Sequence, residues 1–341
     1  MKHTPILLLS VALAAALDGA PQPGYRLLNE IPIGGDGGWD YLTVDPAAHR
    51  LYVSHATSVV VVDTAANRVV GEIADTPGVH GLAVAADLGR GFTTNGRENK
   101  VGVVDLATLR TLQKVEVGVN PDAMLYNPAA HEVYVFNGHS SSATVIDAAS
   151  ARVVATIPLG GAPEFAEVDA AAGLVFNVLE DTSEVVAIDA KTHAVAHRWP
   201  LAPGEEPTGV AIDVAHHRLF AGCGNQKLAM FDYDGGRVVA TVPIGRGVDA
   251  CAFDPATQLA FASCGDGTVT IAHEDAPDKL SVVQTLATAP RARTMVLDPA
   301  THRIYLATAS FEPPPPTPAG GKPARPKLIP GTLKILVYGP E

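Results

Sequence analysis

Short apolar runs alternate with polar turns along almost the whole chain, and the pattern repeats. Within residues 39–73, four runs rich in β-branched and aromatic residues lie at 39–46, 51–55, 59–63 and 68–73. Runs of this length and composition, separated by turn-forming pairs, predict a four-stranded antiparallel meander. The unit occurs seven times, and its first run ends at Asp45, Ala85, Asn127, Asp169, Asp213, Asp254 and Asp298. These anchors are 40 to 44 residues apart. The period predicts an all-β, seven-bladed β-propeller with four-stranded antiparallel blades.

The two ends of the chain are predicted to share one blade. Residues 26–34 match the fourth runs at 152–160 and 237–245. They are therefore predicted to form a fourth strand that is not preceded by the other three strands of a blade. The seventh unit has three runs, at 293–298, 303–309 and 333–338. We therefore expect the N-terminal strand to complete the last blade, which would leave no unpaired sheet edge at the junction.

The blades are expected to form one domain over residues 21–341, because each blade in a ring packs mainly on its neighbours. A Pro-rich insertion at 311–332 interrupts the last blade. Loops longer than about 15 residues are functional or disordered. The insertion is therefore either a flap over one mouth of the channel or an extended surface loop.

The N-terminus predicts export. An apolar run at 6–17 follows Lys2 and leads into small residues, which is typical of a signal peptide. It is shorter than the roughly 20 residues that a membrane span needs. We expect a signal peptide at 1–20, a periplasmic or secreted mature protein, and no membrane insertion. The net charge of -12 is unfavourable for contact with phosphates, so no nucleic-acid partner is expected.

The second run of each unit carries a related motif. Examples are Tyr52-Val53-Ser54-His55, Phe92-Thr93-Thr94-Asn95 and Tyr134-Val135-Phe136-Asn137. These runs resemble the Tyr-Val-Thr-Asn signature of the YVTN-repeat, YncE-like seven-bladed propellers, and the resemblance extends over essentially the whole mature chain. It implies the fold. Propellers serve as binding platforms, lactonases, lyases and redox domains, so the resemblance does not select a function.

One polar set is not explained by the turns of the repeat. It lies five residues before each anchor: Asp40, His80, Asp122, Glu164, Thr208, Asp249 and Arg293. Because first strands surround the axis of a propeller, we expect this set to ring one mouth of the channel. The ends of the second runs should lie outside it on the same face: His55, Asn95, Asn137, Cys223, Cys264 and Thr308. Adjacent loops add Arg97, His139 and Glu180.

Three interpretations of the ring remain open. In the first, a divalent cation, Ca²⁺ or Mg²⁺, binds four carboxylates: Asp40, Asp122, Glu164 and Asp249. The cation would polarise an ester or lactone carbonyl, with His80 as general base and Arg293 binding the negative charge of the substrate. In the second, a small molecule or a peptide binds without chemistry, contacted by Thr208 and the outer set. In the third, the charges are solvated and bind nothing.

The sequence therefore predicts an extracytoplasmic propeller with a small-molecule site at one mouth, lactonase-like if it is catalytic. The alternative is a non-catalytic binding or interaction module. The three cysteines are expected to be free. Cys251 is predicted to be a buried core thiol. Cys223 and Cys264 occupy matching positions in adjacent blades, and the Cα atoms of such positions are usually farther apart than the ~7 Å that a disulfide allows.

Overall fold

A computed structural model describes residues 24–313 and 326–341. It contains seven four-stranded antiparallel sheets, which are the seven predicted blades. The first strand, β1 (Tyr25–Pro32), belongs to blade 7. The predicted signal peptide and the central part of the Pro-rich insertion lie outside the described residues.

Blades 1 to 4 follow β1 in chain order. Blade 1 contains β2 (Trp39–Asp45), β3 (Arg50–His55), β4 (Ser58–Asp63) and β5 (Arg68–Ile73). Blade 2 contains β6 (Val79–Ala85), β7 (Arg90–Asn95), β8 (Lys100–Asp105) and β9 (Arg110–Glu116). Blade 3 contains β10 (Pro121–Asn127), β11 (Glu132–Asn137), β12 (Ser142–Asp147) and β13 (Arg152–Pro158). Blade 4 contains β14 (Pro163–Asp169), β15 (Leu174–Leu179), β16 (Glu184–Asp189) and β17 (Ala194–Pro200).

Blades 5 to 7 complete the ring. Blade 5 contains β18 (Pro207–Asp213), β19 (Arg218–Cys223), β20 (Lys227–Asp232) and β21 (Arg237–Pro243). Blade 6 contains β22 (Val248–Asp254), β23 (Leu259–Cys264), β24 (Thr268–Ala276) and β25 (Lys279–Ala287). Blade 7 contains β26 (Met295–Asp298), β27 (Arg303–Thr308) and β28 (Lys334–Pro340), with β1 paired antiparallel to β28. The predicted closure of the last blade by the N-terminal strand is confirmed.

The core lies between the blades rather than inside a single layer. In β4, residues 59–62 are buried at four consecutive positions, because both faces of the sheet are covered. Tyr52 and Val61 of blade 1, for example, pack with Leu82 and Val104 of blade 2. The fourth strands, at the rim, are mostly exposed, as in β5. The first strands of neighbouring blades contact one another, and β26 contacts β2, which closes the ring around a central channel.

Several polar residues of the repeat serve the turns. His49, His131, His217 and His302 have positive φ values between 52° and 57°, each in the turn between a first and a second strand. Asp63 accepts hydrogen bonds from the backbone amides of Ala65 and Ala66 in the next turn. These residues shape the turns of the scaffold. Within the described residues, no helix is long and apolar enough to span a membrane.

Candidate functional site

The predicted ring residues lie at irregularities in the first strands. In blades 1 to 6 the pairing of the first strand with the second strand shifts at the ring position, as between Trp39 and Leu42. A β-bulge of this kind leaves a residue unpaired and redirects its side chain. Second-strand side chains bind the bulged backbone. The Thr94 hydroxyl donates to the Asp122 carbonyl at 2.7 Å, and the Asn177 amide donates to the Glu164 carbonyl at 2.7 Å.

Asp40, His80 and Asp122 meet on one side of the ring. The Nδ1 atom of His80 lies 2.7 Å from Oδ2 of Asp40 and 3.5 Å from Oδ1 of Asp122. Burial lowers the pKa of His80, but the hydrogen bond with Asp40 and the charges of Asp122 and Asp40 outweigh it and raise the pKa above its usual value. The imidazole therefore carries a positive charge over a wider pH range than a free histidine does. It bridges two carboxylates as their counter-charge.

The remaining acids of the ring keep protons more readily than exposed carboxyls. Burial, the charge of Asp122 and other nearby acids raise the pKa of Glu164 to about 8. Burial also raises the pKa of Asp122 to about 6, although the charge of His80 opposes this. Asp249 accepts a hydrogen bond from Thr294 at 3.1 Å, and its Oδ2 lies 3.6 Å from Nε of Arg293. Converging acids with raised pKa values are a feature of functional sites.

An aromatic pair lies next to the ring in the channel. Tyr41 of blade 1 and Phe165 of blade 4 directly follow the ring residues Asp40 and Glu164, and their ring centroids are 4.5 Å apart. Since blades 1 and 4 lie on opposite sides of a seven-membered ring, this contact crosses the channel. The pair therefore spans the channel next to the ring.

A cavity of about 930 Å³ opens at the same mouth, between blades 1, 6 and 7. Its charged lining residues are Asp40, Arg246, Asp266, Arg291 and Arg293. Its apolar lining includes Trp39, Phe311, Pro326, Leu328 and Pro330. Two predicted ring residues, Asp40 and Arg293, thus belong to the cavity wall, and three arginines line one space.

The ends of the Pro-rich insertion form part of this wall. Phe311 forms a β-bridge with Leu328, and the Thr332 hydroxyl accepts a hydrogen bond from the Ser310 amide. The guanidinium of Arg291 lies over the Phe311 ring, 4.7 Å from its centroid. Such a cation–π contact orients the guanidinium without neutralising its charge. The base of the insertion therefore lies at the mouth, as the flap interpretation requires.

The second-strand ends lie beside the ring in register, but their side chains point into the blades. His55 pairs with Trp39, and its imidazole is covered by Gly35, where a Cβ would lie 2.5 Å from Cε1 of His55. Asn95 donates to Glu98 at 2.9 Å, and Asn137 donates to the Thr144 hydroxyl at 3.1 Å. All three are buried. Their assignment to a ligand stays a prediction that would require these hairpins to move.

The other predicted contacts differ in exposure. Cys223 and Cys264 are buried free thiols, and burial raises the pKa of each to about 12, which makes them unreactive. Arg97 and His139 are exposed, and Glu180 is half-buried. The Thr208 hydroxyl donates to the carbonyl of Val248 at 3.0 Å and so joins blades 5 and 6.

Two of the four predicted metal ligands come together. Asp40 and Asp122 form a group with His80 in which one ligand atom from each residue lies within 4.8 Å of the others. Among the described residues, Glu164 and Asp249 do not belong to such a group. Asp40 and Asp122 thus lie close enough to share one ion with His80, and the assignment of Glu164 and Asp249 as ligands stays a prediction.

Sequence reasoning missed Arg246, Arg291 and Phe311. All three lie outside the strands, in the linkers before blades 6 and 7 and at the start of the insertion. The presence of an arginine in each of two successive linkers was a signal in the sequence that could have indicated them. Their convergence depends on linker conformation, which the repeat does not encode.

The fold and this mouth define the class of the protein, a seven-bladed β-propeller with one polar, cavity-bearing face. Solved structures share this architecture. The WD40 repeats of RRP9 are similar with a TM-score of 0.76 and 12% identity, covering 93% of this chain and 99% of that chain. The structure of U3-55K is similar with a TM-score of 0.74 and 12% identity, covering 92% and 98%.

Hydrazine synthase from Kuenenia stuttgartiensis is similar with a TM-score of 0.69 and 17% identity, covering 86% of this chain and 95% of that chain. At these identities the similarity concerns the fold alone. No protein-family model matches the chain. No curated protein matches it either.

Proposed function

We propose that this chain is an extracytoplasmic propeller that binds an anionic small molecule in the cavity at the ring mouth. The observation that carries the proposal is the convergence of Arg246, Arg291 and Arg293 on one space of about 930 Å³. Small-molecule pockets typically measure about 300–1,000 Å³. Planar guanidinium groups bind carboxylate and phosphate oxygens in a bidentate manner.

The wall contains three arginines and two acids, which leaves a net positive charge for a ligand, and both acids already have hydrogen-bond partners. Asp40 is hydrogen-bonded to His80, and Asp266 accepts from the Arg246 amide at 2.8 Å and from the Thr268 hydroxyl at 2.8 Å. Within the part of the chain that the structure describes, neither Arg246 nor Arg291 forms a side-chain ion pair. Trp39 and Phe311 offer an apolar wall. This combination supports a ligand with a carboxylate and an apolar or ring-shaped body.

The test is a titration of simple aromatic carboxylates, with benzoate and phthalate as probes, followed by calorimetry and thermal melts. The double variant Arg246→Gln, Arg291→Gln should bind at least about 10-fold more weakly, because a charged hydrogen bond contributes roughly 1.5–3 kcal/mol. Arg152→Gln is the matched control, since Arg152 is exposed on the rim strand of blade 3 and does not line the cavity. Equal affinity in wild type and the double variant would refute the proposal.

Metal-assisted hydrolysis of a lactone or ester is the second candidate. The observation that favours it is that Asp40 both lines the cavity and binds His80, so the acid–histidine group is continuous with the ligand space. Asp40, His80 and Asp122 would hold the divalent cation, which supplies Lewis-acid polarisation of a carbonyl when bound. In that case His80 would act as a ligand through Nδ1 rather than as the general base, because the nitrogen that faces Asp40 and Asp122 would bind the cation.

Hydrolysis is tested with a lactone panel in the presence of Mg²⁺, Ca²⁺ or EDTA. Turnover that depends on the cation and is lost in Asp122→Asn would support the hydrolase. If the protein binds carboxylates but shows no turnover under any condition, the non-catalytic binding module is supported instead.

The location and the family are parts of the same proposal. The apolar run at 6–17 supports export, and the YVTN-like second strands support a place among the YncE-like propellers. The mass of the protein recovered from expressing cells tests export. A mature N-terminus near residue 21 in the extracytoplasmic fraction is expected, and an intact Met1 in the cytoplasm would contradict it.

A further inference from the structure

A second cluster of ligating side chains lies between blades 5 and 6, at the face opposite the ring mouth. Asp213 ends β18, His216 lies in the turn that follows, and Glu274 lies in β24 of the next blade. Nδ1 of His216 is 2.6 Å from Oδ2 of Asp213 and 3.4 Å from Oε1 of Glu274. This cluster is independent of the proposed ligand cavity.

Both His216 and Glu274 depart from the repeat. The residue three places after each anchor is, in chain order, Ala48, Leu88, Ala130, Ala172, His216, Thr257 and Thr301. A hydrogen bond identifies which repeat position Glu274 occupies. Its backbone amide donates to the carbonyl of Gln258, the turn residue that precedes the second strand. In blades 1 to 5 the equivalent residues are Thr64, Leu106, Ala148, Ala190 and Tyr233, whose amides make the same bond. Two unusual substitutions therefore meet at one blade interface.

The neighbouring interface shows what the scaffold itself needs here. Between blades 4 and 5 the hydroxyl of Tyr233 donates to Oδ2 of Asp169 at 2.9 Å. At the next interface Glu274 replaces the tyrosine, so a carboxylate faces the carboxylate of Asp213. Two such groups repel each other unless a proton or a cation lies between them.

Glu274 is buried, and its 3.4 Å contact with Nδ1 of His216 is an ion-pair contact without a hydrogen bond. Its side chain is 1% exposed and that of Asp213 is 4% exposed. Among the described residues, neither carboxylate oxygen of Glu274 has a hydrogen-bond partner. Asp213 Oδ1 accepts from the Ala215 amide at 3.0 Å, which leaves Oδ2 directed at the cluster. Buried unsatisfied carboxylate oxygens are costly and call for a ligand.

We propose that Asp213, His216 and Glu274 form a binding site for a divalent cation of the Zn²⁺ type. One ligand atom from each residue lies within 4.8 Å of the other two, a span that a cation at about 2.0–2.2 Å from each can join after small side-chain movements. Imidazole nitrogen with carboxylate oxygen suits Zn²⁺ better than Ca²⁺ or Mg²⁺. His216 is 35% exposed, which gives the ion a path from solvent and room for a water ligand.

The competing arrangement is a shared proton. Burial and the proximity of Asp213 raise the pKa of Glu274 to about 7, while the charges of His216 and Arg218 oppose this. Arg218 is itself paired with Asp232 at 2.9 Å. In this arrangement the carboxyl pair would hold a proton close to neutral pH and would not bind zinc. The melting temperature would then not depend on zinc.

The test is a Zn²⁺ titration of the whole protein, purified, stripped with EDTA and dialysed, with calorimetry and elemental analysis as readouts. We expect one Zn²⁺ per chain at this site and a melting temperature that rises with Zn²⁺. Glu274→Gln keeps the shape of the side chain and should weaken this binding at least about 100-fold, since even outer-shell changes cost 10–100-fold. His216→Asn is a second variant at a partly exposed position, and it remains informative if Glu274→Gln does not fold.

Two controls separate this site from others. Asp169→Asn changes the equivalent interface, and Asp122→Asn removes a ligand from the ring mouth; both should retain the zinc. The inference is overturned if the wild type binds no Zn²⁺, or if Glu274→Gln or His216→Asn binds it with unchanged affinity. It is also overturned if Asp122→Asn alone abolishes binding, because the zinc would then be at the mouth.

Discussion

Gly96 determines where the His80 imidazole can lie. A Cβ at this position would be 2.6 Å from Nε2 of His80 and 3.0 Å from Oδ1 of Asn120. Gly96→Ala should therefore push His80 away from Asp40 and lower its raised pKa towards the ordinary value of about 6.5. An NMR titration of the His80 ring proton measures this shift.

The control for Gly96 is its counterpart in blade 3. A Cβ on Gly138 would meet its nearest atom, Nδ2 of Asn120, at 3.6 Å, an ordinary contact. Gly138→Ala should leave the pKa of His80 unchanged. If both variants leave it unchanged, the close packing around His80 does not set its protonation.

Glu164 should make stability depend on pH in a defined window. Its pKa is raised from 4.5 to about 8, so the folded protein binds more protons than the unfolded chain between those values. The contribution of Glu164 to the free energy of unfolding should therefore be largest below about pH 4.5 and fall as pH rises to about 8, by on the order of 5 kcal/mol. Burial also raises the pKa of Glu167 to about 8, so Glu164→Gln should lose part of the overall decline in denaturant melts and keep the part due to Glu167. Glu72→Gln, on the exposed fourth strand of blade 1, should keep the whole decline, and an equal decline in both would be evidence against Glu164 as the source.

At the scale of elements, β1 closes the ring, and the side chains on only one of its faces hold it in place. Ile31 is fully buried with Tyr305, Leu333 and Ile335, whereas Leu27 in the same strand is 45% exposed. Ile31→Ala should lower the free energy of unfolding by about 2–5 kcal/mol, because it leaves a cavity in the closure. Leu27→Ala should change it by less than about 0.5 kcal/mol. Similar losses in the two variants, measured by urea denaturation, would mean that β1 is not held by this face.

The strands were predictable because their signals are local. The runs at 51–55, 59–63 and 68–73 became β3, β4 and β5 with end shifts of one residue or less. The ring at the mouth was predictable because one repeat position carries it. The burial of the second-strand ends was not predictable, because it is caused by linkers that cover them. Gly35 lies on His55, and Gly118 lies on Asn137, where a Cβ would be 2.5 Å from Cγ. Close approach of a linker is a tertiary contact that a repeat pattern does not record.

At the scale of the whole molecule, the charge distribution should exclude nucleic acid. The net charge is -12, and removal of residues 1–20 takes away one charge of each sign, at Lys2 and Asp18. The arginines at the cavity form a confined group, whereas contact with a duplex requires several cationic side chains along the phosphate path. We expect no change in the fluorescence anisotropy of a labelled DNA duplex at 50 mM salt, with a lysine-rich peptide as the positive control. Binding that weakens steeply between about 50 and 200 mM salt would show that the local field of Arg246, Arg291 and Arg293 outweighs the acidic surface, and the cavity would then have to be reconsidered as a phosphate site.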